Sequence, residues 1–263
     1  MDAVISGSVF AEALGQIWGL VPLLVVGACI GSFLNVCITR LPKGESIVFP
    51  PSRCRSCKAR LRRWANIPVI SYILLRARCA HCGVRISPRY FLVELCAAAM
   101  APACYYRFGP GGLFLARLAF ACALLAAAVI DFETGIIPDI ISLSGTAAGL
   151  VLSCIALALS IPDWPSPPSS LLGALLGGGV LWATAGGYRA ATGRDGLGGG
   201  DIKLLAMIGA FAGWDGVPGI LFWSALTGSV WGIAMMILRR DASLTTPLPF
   251  GPFLCFGALV RMS

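Results

Sequence analysis

Apolar residues in this chain come in long, nearly unbroken runs, not in the alternation of a half-buried strand or the stripe of a surface helix. About 20 mostly apolar residues cross a bilayer as a helix. Eight runs approach that length, over 18–38, 90–106, 112–130, 139–161, 169–188, 202–214, 217–238 and 247–260. The sixth is short, so Asp201 and its neighbours must help complete it. The one long polar stretch is 40–89. The pattern predicts an all-α polytopic membrane protein with about eight transmembrane helices. It divides into an N-terminal helix (1–39), a loop outside the bilayer (40–89) and a transmembrane core (90–263).

Composition agrees. Apolar residues make up 57% of the 263 and charged residues 12%, about half the charge of a typical soluble domain. A soluble protein with a very apolar core is therefore set aside. The net charge of +8 is concentrated. Twelve of the 20 Lys and Arg lie between Arg40 and Arg89, opposed there only by Glu45. A basic block can mean nucleic acid, but beside membrane spans it marks a loop facing the cytoplasm. Both termini then lie outside, and alternation puts 131–138, 189–201 and 239–246 on the side of the basic loop. Arg189, Arg194, Arg239 and Arg240 fit, and the outer stretch 162–170, "PDWPSPPSS", has no basic residue. Arg107 and Arg261 are the exceptions. The N-terminus carries Asp2 and Glu12 and no basic residue, unlike a cleaved signal peptide. Five GxxxG pairs (27/31, 145/149, 173/177, 209/213 and 228/232) favour close helix packing.

Within that topology two carboxylates stand out. Asp131 in "VIDFETGIIPD" and Asp201 in "GLGGGDIK" fall at the same membrane depth, 70 residues apart in sequence. Carboxylates at such depth are costly, which points to a function. Two held close in a low dielectric do not both ionise readily, so one retains a proton. An aspartic protease needs that arrangement: the ionised partner draws a proton from water and the protonated one polarises the scissile carbonyl. The glycines before Asp201 leave room for an extended substrate backbone. Other readings stay open on these residues alone. Asp201 could be an N-cap, Asp131 an interfacial residue, or the pair a cation or proton site of a coupled transporter. "GLGGGDIK" matches neither a phosphate-binding P-loop nor a dinucleotide fingerprint.

Four of the eleven cysteines form two CxxC pairs, Cys54/Cys57 and Cys79/Cys82, with 21 residues between them. Four thiolates suit a tetrahedral structural zinc ion, and a reducing cytoplasm favours metal over disulfides. Reversible disulfide chemistry is the alternative. His81, the only histidine, is flanked by cysteines and is read as a non-ligand. Cys29, Cys37, Cys96, Cys104, Cys122, Cys154 and Cys255 lie singly, mostly in apolar runs, and act as small hydrophobes. Arg53, Arg55, Lys58, Arg60, Arg62 and Arg63 crowd the same loop. Phospholipid headgroups are nearer partners for them than nucleic acid, which is not expected. A membrane-anchored zinc ribbon that only binds is a further reading.

Longer stretches carry a resemblance. "GLGGGDIKLLAMIGAFAGW" (196–214) resembles the GxGD motif of type IV prepilin peptidases, with Gly198, Gly200 and Asp201 as its fixed members and Lys203 beside them. "IDFETGIIPD" (130–139) resembles that family's first aspartate motif, with Asp131 as the catalytic residue. "GSFLNVCITRLPKGESIVFPPSRCRSC" (31–57) and "NIPVISYILLRARCAHCGVRISPRYFLVE" (66–94) resemble its N-terminal part. The resemblance implies a bifunctional enzyme of the bacterial inner membrane. It would cleave prepilin or pseudopilin leaders after a glycine on the cytoplasmic side, then N-methylate the new N-terminus with S-adenosylmethionine. No residue pattern marks a methyl-donor site. One departure is "RARC" (76–79), where relatives read Arg-Gly-x-Cys and Ala77 takes the glycine position.

Overall fold

The computed structural model describes residues 2–60, 67–194, 196–238 and 249–262, with only the backbone over 2–18. Arg62, Arg63, Arg239 and Arg240 lie outside the described residues. Among those described the chain is helical, without a sheet. The helices are α1 (Asp2–Arg40), α2 (Ile70–Leu74), α3 (Pro88–Phe108), α4 (Gly112–Thr134), α5 (Asp139–Ala158), α6 (Pro167–Thr192), α7 (Gly199–Ala212), α8 (Gly216–Leu238) and α9 (Gly251–Met262). Apart from the short α2, each sits on one of the eight apolar runs. Five segments are long and apolar enough to cross a membrane: Gly19–Lys43, Gly112–Thr134, Asp139–Ala158, Pro167–Thr192 and Gly216–Leu238. The protein is a multi-pass membrane protein. Charges at Arg89, Glu94 and Arg107 thin the apolar run of α3, while α7 and α9 have only 14 and 12 residues. α1 begins well before the expected residue 18. Polar residues such as Asp2, Glu12 and Gln16 hid that turn-by-turn continuity.

Packing divides the chain into two compact units, 1–122 and 123–263. In the first, α1 and α3 meet along a seam of small residues. A Cβ at Gly27 would lie 2.5 Å from the Ala97 carbonyl oxygen, and one at Gly31 would lie 2.6 Å from Glu94 Cα. Lipid tails are as apolar as leucine, so such contact, rather than escape from water, holds membrane helices together. Asn35 Nδ2 adds a hydrogen bond to the Tyr90 carbonyl at 2.9 Å.

In the second unit α7 is the central helix. Leu204, Leu205, Met207, Ile208 and Ala210 are fully buried on it, as expected of a helix apolar all round. Gly173 of α6 and Gly209 of α7 face each other backbone to backbone, and Ser170 Oγ donates to the Ala210 carbonyl at 2.5 Å. Not every GxxxG pair does this. Gly232 has no neighbour within 4 Å of where its Cβ would be. Leu143, Val151, Leu172, Trp182, Phe222 and Val230 are exposed on α5, α6 and α8, as lipid-facing residues are.

The helices of this unit share two ends. Asp131, Asp139, Asp201, Lys203 and Gly251 meet at one. Ser169, Gly213, Asp215 and Arg261 meet at the other. Arg261, an exception to the charge rule, is paired there with Asp215 at 3.2 Å. Ser166 precedes α6 and Thr192 ends it, so the two positions are separated by a helix of 26 residues, about 39 Å at 1.5 Å per residue. Single cysteines at these positions, in a background without other reactive cysteines, report their sides. The one at Ser166 is expected to be labelled by an impermeant maleimide added from outside, and the one at Thr192 is not. Labelling of both would break the arrangement.

Candidate active site

Asp131 lies in the last turn of α4 and Asp201 in the first turn of α7. The fold brings their charges within interaction range of each other. Both are buried, at 5% and 8% exposure. Asp201 is not an N-cap; Gly198 occupies that position, and the Asp201 N–H donates to the Gly198 carbonyl at 3.1 Å. Its Oδ1 is buried without a hydrogen-bond partner. Asp131 Oδ2 accepts the Gly251 N–H at 3.0 Å.

The glycines before Asp201 differ in surroundings. Gly199 faces open space. A Cβ at Gly198 would make ordinary contact with Asp201 Oδ2 at 3.4 Å, and one at Gly200 would press on Ile137 Cβ at 3.1 Å. Ile137 also reaches to within 3.1 Å of a would-be Cβ at Gly251, so one buried side chain touches the starts of both α7 and α9. Cys255, one turn into α9 and buried, lies within electrostatic reach of both aspartates. Sequence reasoning missed Gly251, Ile137 and Cys255, which no spacing rule connects to the aspartates. Lys203 does not turn to Asp201. Its Nζ meets both carboxylate oxygens of Asp139, at 2.7 and 2.8 Å, tying the start of α7 to the start of α5.

In the first unit the four CxxC thiols gather, all Sγ atoms within 4.8 Å of one another. Cys54 and Cys82 are 3.9 Å apart. A tetrahedral ion with bonds of about 2.3 Å requires sulfur separations of about 3.8 Å, so the four-cysteine cluster can hold a metal ion. His81 is exposed and outside the cluster. The two halves repeat at an offset of 25 residues. Cys54 N–H donates to the Ala59 carbonyl and Cys79 N–H to that of Val84, both at 2.9 Å. Isolated bridges pair Arg53 with Arg60 and Arg78 with Arg85. Lys58 (φ 58°) and Gly83 (φ 69°) take the left-handed position in each turn. The Cys82 and His81 N–H groups pull the Cys79 thiol down to about 6. At Cys82 the Val84 N–H acts in the same sense, but desolvation and the thiols of Cys57, Cys79 and Cys54 outweigh it, giving about 11. A cation bound by the four sulfurs would displace the protons the thiols still carry.

Around the cluster, Arg55 Nη2 and Arg89 Nη2 both donate to Thr39 Oγ1, at 2.8 and 3.2 Å, and both guanidinium groups stack on Tyr90. Glu94, buried at the α1–α3 seam, accepts the Val69 N–H at 2.7 Å and so holds a β-branched residue at φ 62°. Ala77 has φ 56°, a conformation glycine adopts without a Cβ penalty.

These geometries can be set beside known proteins. Residues 25–108 match the family description "Bacterial Peptidase A24 N-terminal domain". Residues 118–233 match "Type IV leader peptidase family". The chain belongs to the type IV leader peptidase family. Similar curated proteins are each named "Prepilin leader peptidase/N-methyltransferase". The one from Pseudomonas putida is 34% identical over 260 residues, covering 90% of this chain and 88% of the relative. That of Burkholderia pseudomallei strain K96243 is 35% identical, covering 91% and 83%. That of Pseudomonas aeruginosa PAO1 is 34% identical, covering 91% and 88%. No solved structure matched the chain.

Two measurements probe the first unit. Cys54→Ser is expected to abolish stoichiometric metal, read by elemental analysis, and to speed proteolysis of loop 40–89, because a four-thiolate ion contributes folding free energy directly. Metal retained at wild-type level would remove Cys54 from the ligand set. Ala77→Gly relieves a left-handed alanine and is expected to stabilise the loop by up to about 1 kcal/mol, seen as slower loop proteolysis.

Proposed function

We propose that this protein is a bifunctional membrane enzyme that cleaves prepilin or pseudopilin leader peptides after a glycine and N-methylates the new N-terminus. The observation that carries the peptidase half is the meeting of Asp131 and Asp201 at the ends of two helices. Membership of the type IV leader peptidase family and the names of the relatives support both halves. The basic block at 40–89 supports a cytoplasmic site in a bacterial inner membrane.

In cleavage the ionised aspartate takes a proton from water, whose oxygen attacks the scissile carbonyl carbon, while the protonated aspartate donates to the carbonyl oxygen. When the tetrahedral gem-diol collapses, the aspartate that took the water proton passes it to the leaving nitrogen, the carbon–nitrogen bond breaks, and the hydroxyl formed from the carbonyl oxygen returns its proton to the other aspartate. The pair ends with the single proton it began with. Gly198 and Gly200 shape the start of α7, and Lys203 fixes it through Asp139. The loop 40–89 is the methyltransferase part, with zinc held by Cys54, Cys57, Cys79 and Cys82 as a structural ion. The resemblance supplies S-adenosylmethionine as the methyl donor, and no side chain is assigned to it. Membrane lipid is the partner of the loop's basic residues. A proton-coupled transporter would keep the aspartate pair but process no leader.

Co-expression with a prepilin carrying a Gly-Phe junction, with mass spectrometry of the product N-terminus, tests both halves. Asp131→Asn and Asp201→Asn are each expected to abolish cleavage without loss of membrane insertion, and their losses should not add. Near-normal processing by either would sink the aspartate-pair mechanism. Lys203→Met and Asp139→Asn should each slow cleavage by about tenfold, again without adding, since both break one contact.

A further inference from the structure

The two aspartates are placed unequally with respect to their own helices. A helix start carries partial positive charge and its end partial negative charge. Asp201 stands in the first turn of α7 and so has a favourable helix end of its own. Asp131 stands in the last turn of α4, where the carbonyl ends oppose a carboxylate. Its compensation comes from 120 residues away: α9 starts at Gly251, and the Gly251 N–H donates to Asp131 Oδ2 at 3.0 Å in a buried contact. A side chain at 251 would push that carboxylate aside. A Cβ at position 251 would lie 2.6 Å from Asp131 Oδ2, 3.1 Å from Asp131 Cγ and 3.1 Å from Ile137 Cδ1. Pro252 follows and has no N–H, so it offers no competing donor. Among the described residues, the titratable groups within electrostatic reach of Asp131 are Asp201 from α7 and Cys255 from α9 itself. From α5, Asp139 faces Lys203 instead.

We propose that Gly251 is a positioning residue of the peptidase site: its N–H, with the start of α9 behind it, fixes the Asp131 carboxylate and supports its negative charge. This rests on the peptidase reading above. It makes the C-terminal helix a third component of the site, beside the two aspartate motifs. The requirement at 251 is double, an N–H donor and no side chain, so alanine fails it by displacing the carboxylate it should hold.

The test compares two alanines on one helix. Gly251→Ala is expected to lower kcat/KM for leader cleavage by about 100-fold, mainly in kcat, as a displacement on the order of 1 Å does. The acid limb of its rate–pH profile should shift, because the carboxylate loses the N–H that supports its charge. Gly257→Ala is the packing control. Its Cβ would lie 2.6 Å from the Ile220 carbonyl oxygen and from Ser224 Oγ. It should lower the melting temperature while leaving the pH profile in place. A Gly251→Ala enzyme within about threefold of wild type overturns the proposal. So does one that is slowed with an unmoved profile, like the control, or one whose rate is restored by adding Ile137→Ala, since the fault would then be packing on Ile137.

A second measurement reads the contact itself and needs no Gly251 variant. In the unmodified protein labelled with 15N-glycine, the Gly251 amide resonance is expected to titrate with the acid limb and to lose that response in Asp131→Asn. A pH-invariant amide overturns the proposal. Failure of the peptidase reading itself shows separately, as cleavage surviving in Asp131→Asn or Asp201→Asn.

Discussion

A carboxylate near the bilayer needs compensation that lipid cannot supply, and at the candidate active site this demand is met by helix ends. The termini of α4, α5, α7 and α9 converge there. Asp201 uses the start of its own helix, and Asp131 receives the Gly251 N–H at 3.0 Å. Asp139 and Lys203 neutralise one another at the rim. Four termini can meet only if the helices behind them pack closely, which explains why the seams are lined with glycine and alanine. The backbone contact of Gly173 with Gly209 sets the depth of α7, and with it the depth of Asp201.

The first unit solves a different problem. A loop of about 50 residues with twelve basic side chains and one acid has little apolar surface to bury. Four thiols replace a core. The two turns that carry them repeat one another down to the left-handed residue after the second cysteine, Lys58 in one and Gly83 in the other. Glu94, Thr39 and Tyr90 then tie the loop to α1 and α3 through Val69, Arg55 and Arg89.

The parts readable in the sequence were those with a local signature. Apolar runs located the helices because hydrophobic length is written residue by residue. The CxxC pairs showed themselves by spacing, and Asp131 and Asp201 by being charged where charge is costly. Contacts made across long separations left no such mark. Gly251 is one of 32 glycines, and nothing local distinguishes it from Gly232, where a side chain would meet nothing within 4 Å. The Lys203–Asp139 pair joins residues 64 apart, each with an ordinary local explanation. Ala77 was visible as a departure, but its φ of 56° supplied the physical reason for it.

The shortness of the central helix has a consequence for the solvent. With 14 residues, α7 measures about 21 Å, against a hydrocarbon core of about 30 Å. The helices that face lipid around it, α5, α6 and α8, are each long enough to cross that core, so the bilayer need not thin and the shortfall is taken up inside the bundle. The water that hydrolysis consumes then reaches Asp201 along its neighbouring helices and not through lipid.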